Sequence, residues 1–192
     1  MAAGGRIAQK LGVMQSAQMG NEQLLQERIR LGRPVDIMPF SRHIGYPFQQ
    51  INHHTAYFKA FFDYQNIGHF AFQSTFQHDN RRENRIRRLN HSDIPTVSLH
   101  LNSWQNALVW NKGYGQWKSE AGAQMLVTDD HNERGTGVVP IIPNYTEVAF
   151  GLYALQKLTA NRWGLEAGVR FDGQQTKADG YDWTGRRYGG KR

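Results

Sequence analysis

From residue 53 onward, hydrophobic side chains recur at every second position, the period of a half-buried β-strand and not of a helix. Over 55–64 the apolar positions are Ala56, Phe58, Ala60, Phe62 and Tyr64, with Lys59 and Asp63 on the other side. Over 67–78, Phe70, Phe72 and Phe76 oppose His69, Gln73, Thr75 and Gln77. Over 96–102, Val97, Leu99 and Leu101 oppose Thr96, Ser98, His100 and Asn102, and this strand is expected to continue through Ala107 and Val109 to Trp110. Over 117–127, Trp117, Ala121, Ala123, Met125 and Val127 oppose Lys118, Glu120 and Gln124. Over 147–154, Val148, Phe150, Leu152 and Ala154 oppose Glu147, Gly151 and Tyr153. Over 163–172, Trp163, Leu165, Ala167, Val169 and Phe171 oppose Glu166, Arg170 and Asp172. Six strands are predicted.

Residues 1–52 carry a different pattern and are expected to form a long, irregular N-terminal segment. Ile7, Leu11 and Met14, then Leu24, Leu25 and Ile29, stand at helical spacing, which predicts one or two short helices ended by Gly32-Arg33-Pro34. Between the strands, the connections at 65–66, 111–116 and 157–162 are short. Those at 79–95, 128–146 and from 173 onward are long and polar, so short and long alternate along the chain.

An all-β, antiparallel up-and-down meander follows, with two readings open. A soluble β-sandwich or partial barrel would turn the apolar faces inward. A transmembrane β-barrel would turn them to lipid and the charges to a wet lumen. Strands of about 10 residues suit a tilted crossing of a bilayer. Aromatics near strand ends, at Tyr64, Trp110, Trp117, Tyr145 and Trp163, suit an interfacial girdle. Alternating short turns and long loops suit the two sides of an outer-membrane barrel. Six strands are too few to close one, since such barrels begin at roughly 8.

Composition changes this picture little. The 192 residues carry a formal charge of +7, 39% hydrophobic residues and no cysteine. That excludes disulfide scaffolds, thiolate metal sites and cysteine nucleophiles. No apolar stretch approaches the roughly 20 residues of a membrane-spanning helix, and the first residues do not read as a signal peptide. The negative mean hydropathy of −0.66 fits polar lumen faces and polar loops as well as a soluble protein.

Four segments resemble TonB-dependent outer-membrane receptors of the Bacteroidetes type: Ile44–His54, Phe72–Glu83, Gly135–Tyr145 and Trp163–Asp172. The resemblance covers about residues 40–185 in the expected order. It implies a bacterial outer-membrane location and a parent receptor that couples to TonB and imports a bulky nutrient, such as a metal chelate, vitamin or glycan. The family's signal peptide, coupling box and plug domain are not recognisable in this chain. On this resemblance, residues 53–192 are expected to be a slice of the barrel, with long extracellular loops.

Charged residues on the polar strand faces, Lys59, Asp63, Lys118, Glu120, Glu147, Glu166, Arg170 and Asp172, are expected to line the lumen. The run Arg81, Arg82, Arg85, Arg87 and Arg88 forms the strongest basic cluster. It is read as a solvated loop partly compensated by Glu83 and Asp79 or, functionally, as a loop contact for an anionic partner, lipopolysaccharide before nucleic acid, because no stacking aromatics accompany it. In the soluble alternative the same run would bind the anion. His53 and His54 are adjacent, so in a strand they point to opposite faces and cannot chelate one ion. No nucleophile elbow, phosphate-cradling loop or fixed carboxylate pair is present, so neither catalysis nor a cofactor is expected. Gly122, Gly151, Gly164 and Gly168 are read as relieving bends or close packing.

Overall fold

The computed structural model describes residues 1–13, 21–33, 40–85, 93–136, 138–182 and 184–191. Eight antiparallel strands form one open sheet in chain order: β1 (Ala2–Gly12), β2 (Phe48–Tyr64), β3 (Gly68–Asn84), β4 (Pro95–Tyr114), β5 (Trp117–Asn132), β6 (Asn144–Thr159), β7 (Gly164–Tyr181) and β8 (Arg187–Lys191). One helix, α1 (Glu22–Leu31), intervenes between β1 and β2 in the sequence. The expected all-β up-and-down meander is the observed architecture.

Directly opposed residues in antiparallel strands point to the same side, so the register sorts the sheet into two faces. Phe62, Phe70, Trp110, Ala121, Ala154 and Val169 form one continuous row across β2–β7. Ala60, Phe72, Leu108, Ala123, Leu152 and Phe171 form a second row on the same face. Large side chains stand beside small ones in both rows, which lets rings lean over neighbours. Phe58 meets Phe72 at 6.4 Å between ring centroids, and Phe150 meets Phe171 at 5.9 Å.

This apolar face has no second layer. Phe48, 6% exposed, is the one buried hydrophobic side chain among the described residues, whereas Leu152 is 54% and Val169 75% exposed. The apolar run ends abruptly at a polar row: His54, His78, Asn102, Asp129, Thr146 and Lys177. From Trp117 to Val127 the run is about 10 residues, roughly 25 Å of height at a strand tilt near 40°.

Several expectations are corrected. There are eight strands, not six. Residues 2–12 form β1, paired to β2 from Ala2 opposite Phe58 to Gly12 opposite Phe48. Ile7 and Leu11 are four apart, a spacing that places them on one face of a strand as readily as of a helix. The second helical pattern does form: Asn21 caps α1 by accepting from the Leu24 amide, and Gly32 ends it at φ 62°. Residues 48–52, expected irregular, belong to β2, and Met14 lies outside the described residues.

The long connections are shorter than expected, because β3 runs to Asn84, β5 to Asn132 and β7 to Tyr181. Past the apolar band these three strands are polar on both faces, so hydrophobic alternation vanishes in them while backbone pairing continues. The phase of β4 also differs. Val97, Leu99 and Leu101, with Ala107 and Val109, occupy the polar face, and Trp104, Leu108 and Trp110 the apolar one. Tyr145 faces the polar side opposite Asp130 and so is no part of a girdle.

Candidate functional site

The eight charged residues named above stand on one face of the sheet. Asp63 stands in register with His69, Asn111 and Glu120, and Lys59 with Gln73, Ala107, Gln124, Gly151 and Asp172. Glu147 follows Thr128 on this face, Lys118 stands opposite Lys157, and Glu166 also opposes Lys157. Their interactions are local. Arg170 donates to both oxygens of Asp172, at 2.8 Å and 3.0 Å from Nε. Lys157 lies 3.6 Å from Glu166, Tyr153 donates to Glu120 at 2.9 Å, and Asp63 contacts His69. These groups make a wet, mutually compensated surface; nothing in it sets a nucleophile beside a base.

One concavity lies at the end of the long connections. Asn132 Nδ2 donates to the Ile142 carbonyl at 2.9 Å, and the Glu133 amide to the Ser98 carbonyl at 2.9 Å. These bonds hold residues 133–136 and 138–142 beside the ends of β3–β5. The resulting cleft has a volume of about 480 Å³. Its walls are Val97 and Leu99 of β4 with Val138, Val139, Pro140, Ile141 and Ile142, while Arg81, Glu83 and Arg85 stand at the rim. Such a volume and mixture fit a small-molecule site, for which ~300–1,000 Å³ is usual.

The basic cluster is therefore divided. Arg81 and Arg82 are on β3, not in a loop. Arg81 pairs with Glu83 and shares the polar face with the cleft, as Leu99 and Asn132 do. Arg82 points to the opposite face in register with Ser98, and its Nε is buried without a described partner. Arg85 reaches the rim, and Arg87 and Arg88 lie outside the described residues. Sequence reasoning missed the cleft's apolar wall. The signal was the run Val138-Val139-Pro140-Ile141-Ile142, which is unusually apolar for a connection.

His53 and His54 face opposite ways: His53 meets Asp79 at 2.9 Å on the polar side, while His54 stands beside His78, ring centroids 6.1 Å apart. His100, in the next row on the same face, lies 6.4 Å from His78 between ring centroids and bonds Glu133 at 2.7 Å. Hydrogen bonds with Ser98 and His100 hold the Glu133 carboxyl below its ordinary range. Asp130, only 2% exposed and past the end of the apolar run, has no described hydrogen-bond partner for either oxygen. Burial, with Asp129 beside it, pushes its carboxyl up to about 6. Comparison with family models, curated proteins and solved structures finds no match.

Proposed function

We propose that this chain forms part of the wall of a bacterial outer-membrane β-barrel of the TonB-dependent receptor type, in a parent protein that imports a bulky nutrient. The observation that carries the reading is the largely apolar face of β2–β7, interrupted within the band by Ser74, Asn106 and Gln175, exposed, without a second layer among the described residues and bounded by a polar row. A soluble sandwich requires a layer against Phe70, Phe72 and Phe76, and the described residues supply none. In lipid that face is matched by acyl chains, and the opposite, charged face meets the lumen. The unpaired edges of β1 and β8 then require further strands, because hydrocarbon does not tolerate open edges.

Just past the band, Arg6, Lys177 and Lys191 stand on the lipid-facing side, against one carboxylate of the same row, Asp129. This placement suits the anionic headgroups of lipopolysaccharide, since basic groups near a charged leaflet are each worth about 1 kcal/mol.

The chain contains no cysteine, so single Cys substitutions along β6 can be spin-labelled one at a time in liposomes. Labels at Phe150, Leu152 and Ala154 are expected to be relaxed by oxygen, and those at Gly151, Tyr153 and Leu155 by a water-soluble nickel chelate. Equal access of the nickel chelate at all six sites sinks the proposal.

A further inference from the structure

We propose that the cleft between residues 138–142 and the ends of β3 and β4 binds an organic anion with an apolar body, its charged group at Arg85 and Arg81. The inference deepens the receptor reading, on which it rests for its meaning as a substrate class; the cleft itself is a property of the sheet and its connection.

Three observations converge. The lining is mostly apolar, with Val97, Leu99, Val138, Val139, Pro140 and Ile142 beside a few hydroxyl and amide side chains of β4, β5 and the connection, so a wholly polar ligand would leave the apolar part unmatched. The rim carries two guanidinium groups against one carboxylate, Glu83. Glu83 is already engaged, by Arg81 and by Gln49 Nε2 at 2.9 Å. Arg85 is solvent-exposed and forms no ion pair among the described residues, so an arriving carboxylate or sulfonate meets a planar donor that no described carboxylate engages. A cationic ligand meets net repulsion at the same rim. The cleft opens on the polar face, the side that faces the lumen in the proposed receptor, at the end where the longer connections gather.

The test uses the full chain in maltoside micelles and titration calorimetry, with empty micelles subtracted. Naphthoate is compared with naphthamide, its neutral counterpart of nearly the same shape. Naphthoate is expected to bind, and naphthamide about tenfold more weakly, the scale of one charge-assisted hydrogen bond. Arg85→Gln is expected to remove most of that difference while leaving naphthamide unchanged. Val139→Asp is expected to weaken both; Val139→Ser serves if the Asp variant does not fold.

Absence of naphthoate binding, equal affinity for acid and amide, or an unaltered naphthoate affinity in Arg85→Gln overturns the site. Vesicle flotation of the same preparation separates the two proposals. A chain that floats but does not bind sinks the cleft alone, whereas one that binds but stays in the aqueous fraction supports the cleft and sinks the membrane reading.

Discussion

Asp130 sits in register between Leu101 and Tyr145, at a depth where water no longer reaches its carboxyl. An acid whose folded pKa is raised above its unfolded value of about 3.9 binds its proton more tightly in the folded state. Its folded form is therefore favoured at low pH, and stability falls as pH rises from about 4 through about 6. Asp130→Asn is expected to raise the thermal midpoint at pH 7 and to flatten the decline between those pH values, as read by circular dichroism in micelles. Glu133 acts with the opposite sign: its lowered pKa gives stability that is present above the ordinary carboxylate range and lost as pH falls below it. The difference between wild type and Asp130→Asn isolates the first effect. Gly122 shows the other way one residue matters. A Cβ there would stand 2.2 Å from Cε1 of Tyr153, whose hydroxyl donates to Glu120 at 2.9 Å. Gly122→Leu is expected to displace that ring and cost about 1–3 kcal/mol in denaturant unfolding, with Tyr153→Ala restoring part of the loss. The reading of Gly122, Gly151 and Gly168 as close-packing positions agrees with their contacts, whereas Gly164 has only ordinary ones.

At the scale of the strand, composition matters less than which face a residue takes. Leu152 lies mid-band between Ala123 and Phe171, and Gln105 lies on the opposite face between Thr75 and Leu126. Leu152→Arg is expected to cost about 2–4 kcal/mol of stability in lipid, and Gln105→Arg less than about 1 kcal/mol. Equal costs in urea titrations from liposomes would contradict the assignment of faces. The strands themselves were legible wherever one face was apolar, as in β2, β3, β5, β6 and β7. Their ends were not: β3 beyond His78 reads Asp79-Asn80-Arg81-Arg82, polar on both sides, so nothing in the period marks it as paired. In β4 two apolar sets compete, Val97, Leu99 and Leu101 against Trp104, Leu108 and Trp110, and alternation gives no way to choose between them. Pairing with Phe70, Phe72 and Phe76 makes the choice, because register fixes all side chains of a strand at once.

The whole sheet exposes a broad apolar surface and two unpaired edges, a combination that water does not tolerate. In detergent-free buffer the chain is therefore expected to aggregate, and in maltoside to be dispersed; a monodisperse monomer on sedimentation without detergent would contradict the membrane reading. The sequence by itself determined the antiparallel meander, the alternation of short turns and longer connections, and the polar face that gathers Lys59, Glu120, Arg170 and Asp172. Those features are local, since a two-residue period is written in consecutive side chains. Only the tertiary structure decided that residues 2–12 extend the sheet, that Arg81 and Arg82 part to opposite faces, and that Val138–Ile142 close a cleft against Val97 and Leu99. Each of these depends on which distant backbone a segment pairs with, and hydrogen bonds between strands are indifferent to the side chains by which a sequence is read.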